Sequence, residues 1–436
     1  MIKPDCEDAA RVPATTVTQV VLADRPRGAR VALVDATSGR ATSYAELMRA
    51  VWSAASGMMR AGIGKGDAVG VHLPDVPELA IALHAVMLAG AVPVPIRPTT
   101  SAGAMARQLT ESGARWVITW PVLLDIALAA ASGTRVERVV SFGDEPDAEP
   151  FSALLAGDGR PADAGLDPGT DLALLPYTRG TTRPSMGVRL THRNLVTAIL
   201  QLVGAGLICG TDTVLSTIPL TDAIGMVTAL HVGLHAGATV VTRPGTGRLD
   251  LLRTLQDRRV SFLLCTPDVV ETLAYDREVD HYYLRSLRSI ISTGGPLRPE
   301  AARAGATRLR CPVRQAYGLA EAAGITHVNL RAAQEGTLDS VGRGLPWVDW
   351  RIIDPVTGAH QPSYQAGELL VRGPMVARAA ADKRPLAEWV PTGDAAFADE
   401  HGRLYIIGRM PGPEAELVAP PTGTNGTANG TPNGTR

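Results

Sequence analysis

Tyr177-Thr-Arg-Gly-Thr-Thr-Arg-Pro-Ser-Met-Gly187 lies between an apolar run, Asp171-Leu-Ala-Leu-Leu-Pro176, and Val188-Arg-Leu-Thr-His-Arg-Asn-Leu195. The first flank reads as a short strand. The second leads into a helix. A turn rich in Gly and Thr between strand and helix places backbone amides and hydroxyls where phosphate oxygens can be cradled. It is not a Walker loop, since GxxxxGK[ST] is absent. Taken alone, the stretch is also compatible with an ordinary polar turn.

Outward from this stretch the chain alternates. Towards the N-terminus, VALVDA, GDAVGVHLP, AVPVPI, RWVIT and RVERVVSFG read as strands. TSYAELMRAVWSAASGMMRAGI and ELAIALHAVMLAG between them read as helices. This βαβ rhythm predicts a mostly parallel sheet covered by helices, with a second set starting at DLALLPYT and running through LRSIIST and CPVRQAYG. From about residue 340, WVDWRIIDP, GELLVRG and RLYIIGR are short strands between turn residues, and a small β-rich unit is expected. Residues 411–436 are rich in Pro, Gly, Asn and Thr and are expected to form a disordered tail. Its Asn-Gly-Thr triplets are read as coincidental glycosylation patterns.

Composition narrows the function. The 436 residues carry a formal net charge of -1 with 45% hydrophobic content, enough for a large core and without the basic excess of a nucleic-acid binder. The most apolar stretch, Leu79 to Ile96, is interrupted by His84, Gly90, Pro93 and Pro95 and reads as core rather than a membrane span. Cys6, Cys209, Cys265 and Cys311 are widely spaced, with no metal-site pattern, and the N-terminus has no apolar signal region. A cytoplasmic protein is expected. The only lysines are Lys3, Lys65 and Lys383, which limits where a catalytic lysine can stand.

Taken together, these blocks resemble the adenylate-forming superfamily of acyl- and aryl-CoA ligases, adenylation domains and luciferases. The loop resembles that family's signature, Tyr-[Thr/Ser]-Ser-Gly-Thr-Thr-Gly-x-Pro-Lys-Gly-Val followed by Leu-Thr-His-x-Asn-Leu. TSYAEL, GIGKGDAVGVHLPDVPE and AGAVPVPI resemble its N-terminal blocks. ISTGGPL, QAYGLAEAAG, DSVGRGLPWVDWRIIDPVTG, GELLVRGP and TGDAAFADEHGRLYIIGR follow in the family's order. The coumarate and fatty acid CoA ligase branch looks closest. The resemblance implies an α/β fold of two stacked, mostly parallel βαβ sheets with helices and a small β-barrel-like subdomain. It implies an extension at 1–19, an AMP-binding domain at 20–410 with the β-rich part at about 340–410, and the tail. The family's C-terminal domain, which carries a catalytic lysine, is expected to be absent, with Pro411 near the hinge position.

The resemblance also assigns roles. Thr178, Gly180, Thr181 and Thr182 would line the ATP phosphates; Arg179, where the family has Ser, or Arg183 could supply a cation beside the catalytic Thr181, or could equally plug the ATP site. Glu321 would be catalytic and hold Mg²⁺. Tyr317 and Gly318 would sit at the adenine, with Gly294, Gly295 and Pro296 opposite. Asp394 would accept from the ribose hydroxyls and Arg409 would stand beside them. Asp222, Thr293 and Ala316 would edge the acid pocket. CoA or a phosphopantetheine carrier would be the acyl acceptor, and an acyl carrier protein or a companion ligase a partner in specialised biosynthesis.

Four departures bear on activity. Arg179 replaces the loop's Ser, Arg183 its second Gly, Ser185 its Pro and Met186 its Lys. Ala320 replaces the Thr of the metal motif, and Asp222 stands where a His or aromatic residue is usual. A carboxylate there would repel an acid unless it pairs with an amine on the substrate. Two functions follow: ATP-dependent activation of a carboxylic acid as acyl-AMP, or a non-catalytic ligase fold kept for binding or scaffolding.

Overall fold

The computed structural model describes residues 12–22, 28–157, 159–178, 186–245, 247–331, 337–380 and 388–410. The loop residues Arg179, Gly180, Thr181, Thr182, Arg183 and Ser185, and the tail at 411–436, lie outside them.

Two sheets dominate. A five-stranded, wholly parallel sheet runs in the order Val92–Ile96, Ala68–His72, Trp116–Thr119, Arg138–Ser141, Glu149–Pro150. A nine-stranded sheet has a parallel centre made of Val313–Leu319, Ser289–Ser292, Phe262–Cys265, Thr213–Ser216, Thr239–Thr242 and Val31–Asp35. Antiparallel strands close both of its edges. The helix Pro77–Leu88 packs against strands of both sheets and is apolar on nearly every face. A helix hydrophobic all round belongs in the interior. The interrupted run from Leu79 to Ile96 is therefore core: a buried helix, then a buried strand. Among the described residues no helix is long and apolar enough to cross a membrane.

The structure corrects two strand assignments. Val31–Asp35 does not join the sheet formed by the strands that follow it but pairs with Thr239–Thr242 in the large sheet. Leu172–Leu174 does not open the second parallel set either. It pairs antiparallel with Val188–Thr191, which in turn pairs with Ala379–Ala380, in a separate three-stranded sheet. Both strands are short and apolar, so their own sequence specifies a buried strand but not its partner. From residue 349 onward an antiparallel sheet is ordered Asp349–Ile353, Gly367–Arg372, Val390–Ala398, Leu404–Arg409, as the turn-rich alternation there suggests.

The helix Tyr44–Arg60 begins at a capping box: the Glu46 amide donates to Ser43 Oγ, and the Ser43 amide donates to Glu46 Oε2 at 2.7 Å. Ser43→Ala is expected to cost about 1 kcal/mol, measured as a shift in the urea midpoint with unchanged slope. An unchanged midpoint would show that tertiary packing alone sets this helix end.

Candidate functional site

Thr178 and Met186, the described residues on either side of 179–185, pair with each other. The Thr178 amide donates to the Met186 carbonyl at 2.9 Å, and the Met186 amide donates back to Thr178 Oγ1 at 3.0 Å. Tyr177 and Gly187 pair next to this bond. Thr178 is thus the first residue of the loop and also one of its clasps. The following helix, His192–Gly204, starts at a second capping box between Thr191 and Asn194. Asn194 Nδ2 then donates to the carbonyls of Pro374 (2.8 Å) and Val376 (3.1 Å). The Leu-Thr-His-Arg-Asn stretch therefore ties the loop's exit to the segment after Gly367–Arg372. One residue further on, the Ala377 amide donates to the Glu321 carbonyl at 2.7 Å.

Glu321 sits at a hairpin tip. The strand Val313–Leu319 ends in a 3₁₀ turn, Ala320–Ala322. Ala323 adopts φ 55°, and the chain returns as Gly324–Val328. The two strands approach so closely at Gly318 that a Cβ there would meet the Gly324 carbonyl oxygen at 2.3 Å, so only glycine fits. Burial pushes the Glu321 carboxyl up, opposed by Arg409. A partly desolvated carboxylate gains from a metal cation bound to it. Among the described residues no cluster of three acidic, His or Cys side chains holds a metal by itself. The donor set matches Mg²⁺, which takes one or two carboxylates and completes its shell with phosphate oxygens and water.

The strands Val390–Ala398 and Leu404–Arg409 bring Asp394 opposite Arg409. Arg409 Nη1 donates to Asp394 Oδ1 at 2.7 Å and to the Thr392 carbonyl at 3.0 Å. The Tyr317 hydroxyl donates to Asp394 Oδ2 at 2.6 Å. Burial, and then the Asp394 carboxylate, raise the Tyr317 hydroxyl well above its ordinary value, so it stays protonated as a donor. Behind Tyr317 lies His327, edge-on at 6.2 Å between ring centres, and Trp350 beyond it at 5.9 Å. Residues 317, 321, 394 and 409, scattered over three strands and a hairpin tip, converge here.

On the neighbouring parallel strand, Ser289–Ser292 ends in Thr293, whose buried Oγ1 has no hydrogen-bond partner among the described residues, and in the exposed turn Gly294, Gly295, Pro296. Ala316, buried, lies on the next strand. An orphaned buried hydroxyl at the carboxyl end of a parallel strand is where a ligand of an α/β sheet is expected.

Asp222 caps the helical run that begins at Ala223 and packs against Gly324–Val328 and the strand bearing Ala316 and Tyr317. The cation that the sequence asked of the substrate comes from the chain itself. Arg97 Nε and Nη2 donate to Asp222 Oδ1 at 2.9 and 2.5 Å. Asp75 lies beside this pair and accepts from the Leu220 amide at 3.0 Å. Its carboxyl is pushed up to about 7, by burial first and also by Asp222. Arg97 and Asp75 follow strands of the small sheet, and Leu220 and Asp222 follow a strand of the large one. These contacts thus latch the two sheets together. The sequence did not reveal Arg97, Asp75 or His327. Arg97 meets a partner 125 positions away, and no local spacing signals that. Arg97→Ala is expected to destabilise by about 1–3 kcal/mol, because the part-buried Asp222 carboxylate loses its cation. Adding Asp222→Asn should recover part of this in urea melts. Equal stability of wild type and Arg97→Ala would rule out the latch.

Comparison with known proteins agrees with this geometry. The AMP-binding enzyme family model matches residues 22–379. The 4-coumarate–CoA ligase-like 4 protein of Oryza sativa subsp. japonica is 30% identical over 424 residues, covering 92% of this chain and 76% of its own length. The anthranilate CoA ligase AuaEII, solved in complex with anthranoyl-AMP, superposes with a TM-score of 0.83 at 21% identity, covering 92% of this chain and 79% of that one. ATP-bound MatB from Rhodopseudomonas palustris gives 0.80 at 24% identity, covering 91% and 79%. At these identities the two solved structures speak for the fold, while the family model spans most of the sequence. The chain belongs to the AMP-binding enzyme family.

Proposed function

We propose that the protein activates a small carboxylic acid as its acyl-adenylate, using ATP and Mg²⁺. The observation that carries this reading is the hydrogen-bonded cluster of Tyr317, Asp394 and Arg409, with the Glu321 carboxyl in electrostatic reach of Arg409 and Asp394. Bound ATP supplies the phosphorus that the acid's carboxylate attacks. Asp394 accepts hydrogen bonds from ribose hydroxyls. Arg409 and Tyr317 hold that carboxylate in place. Glu321 holds Mg²⁺ against the phosphates. Thr293 and Ala316 face the acid, with the Arg97–Asp222 pair at its edge. In the loop, Thr178, Gly180, Thr181 and Thr182 line the phosphates, with Arg179 as their cation. The acyl group then passes to CoA or a phosphopantetheine carrier, with a companion ligase or carrier protein as partner, in the cytoplasm and in specialised biosynthesis.

Supporting residues of this kind act by positioning and charge stabilisation. The test is ATP–pyrophosphate exchange across a panel of aryl and short aliphatic acids, with calorimetry of ATP·Mg²⁺ binding. Exchange with at least one acid is expected, together with measurable heat. A protein that binds neither ATP·Mg²⁺ nor an acyl-adenylate mimic would instead be a scaffold on this fold.

A further inference from the structure

At the amino-terminal end of the five-stranded sheet, away from Arg97, lies a cavity of about 320 Å³. Ala68 and Val92, the first residues of their strands, line it together with Leu172, Leu175, Asp171 and Arg189. The candidate site is at the other end of the same strands. Ala68–His72 alone separates the two ends by roughly 13–17 Å at strand rise.

Arg189 lies on Val188–Thr191, the middle strand of its three-stranded sheet. Its neighbours Val188 and Leu190 are fully buried in the main core, so alternation turns Arg189 to the other face, towards the cavity. The guanidinium is half-buried. It makes no ion pair or side-chain hydrogen bond among the described residues, and burial lowers its pKa. The cavity's own carboxylate, Asp171, is engaged by Lys65 Nζ at 2.7 Å and the Asp167 amide at 2.6 Å. A cation partly removed from water without a counter-charge is unfavourable, and an anion would offset the cost.

We propose that this cavity binds a small organic carboxylate, its anion paired with the Arg189 guanidinium and its apolar body against Ala68, Val92, Leu172 and Leu175. The planar fork of arginine matches a carboxylate with two parallel hydrogen bonds. Apolar walls favour an acid with a hydrocarbon body over a fully hydrated inorganic ion. The volume stands at the lower end of small-molecule sites, which run roughly 300–1,000 Å³.

The probe is benzoate, with azidobenzoate as its photoreactive form. Photolabelling followed by peptide mapping should place label at residues 66–68, 90–92 or 172–175. In calorimetry, Arg189→Gln should weaken this event about tenfold or more, and Arg189→Lys less. Ala68→Leu keeps the cation but fills the cavity, and should also abolish the label. Circular dichroism confirms that each variant is folded. Label confined to the region of Thr293 to Tyr317, or equal benzoate affinity in wild type and Arg189→Gln, overturns the site. Inorganic phosphate competing as well as benzoate overturns the carboxylate class. None of these readouts depends on turnover, so the outcome is separable from that of the adenylation assay.

Discussion

Lowering the pH from 7 to 5 is expected to remove roughly 8 kcal/mol of folding stability, because the interior holds its histidines neutral. His72, His84 and His192 are pushed down to about 4, His327 to about 3 and His231 well below its ordinary value, in each case chiefly by burial. Their unfolded value is near 6.5. Each therefore contributes its full stabilisation above pH 6.5 and loses it as the pH falls towards the folded value. At pH 5 the loss is roughly 2 kcal/mol per residue. Asp75 works the other way. Raised to about 7, it is easier to bury once protonated, so acid relieves it and cancels roughly one histidine. A net uptake of about four protons on unfolding near pH 5.5 follows, against a total stability of about 5–15 kcal/mol for a typical domain. Urea melts at a series of pH values give the slope directly. His84→Asn keeps a polar group facing Thr18 and should lower the slope by one proton. A near-ultraviolet spectrum unchanged down to pH 4 would refute this account.

Local signals carried most of the architecture. Alternation from GDAVGVHLP to RVERVVSFG marks the strands of the small sheet, and a Thr or Ser cap marks the start of the helix that follows it, which the structure places at Ser43. Partner choice was not legible. Val31–Asp35 has the same short apolar character as Ala68–His72, yet joins a different sheet, because pairing depends on the connections packed above it. For the site, motif order pointed to Glu321, Tyr317, Asp394 and Arg409, and the structure places these four together. The charge balance around Asp222 was hidden, since a lone Arg97 after a strand has no periodic signature. Asp222 read in isolation asks for an external amine. Read with Arg97 and Asp75, it belongs to a mixed-charge cluster that joins two sheets.

Asp394→Ala is expected to weaken binding of a non-hydrolysable acyl-adenylate mimic by ~1.5–3 kcal/mol, roughly ten- to a hundredfold in Kd. A carboxylate offers about four acceptor positions. Tyr317 and Arg409 take one each, on different oxygens, which leaves two for the two ribose hydroxyls of an adenylate. The same arrangement predicts a contrast between neighbours. Tyr317→Phe removes a donor that competes for Oδ2 and leaves the carboxylate in place, so any loss from it should be smaller than the loss from Asp394→Ala. It should show mainly in stability, because Tyr317 is packed against His327. Asp394→Asn keeps one acceptor oxygen, replaces the other with an amide donor and gives up the charge that holds Arg409. It should fall between the two, and its deficit should shrink at high salt, where an exposed Arg409 is screened. Calorimetry on the three variants, each checked for folding, separates a ribose acceptor from a purely structural carboxylate. In the structural case Asp394→Ala lowers the melting temperature and binds the mimic as tightly as wild type.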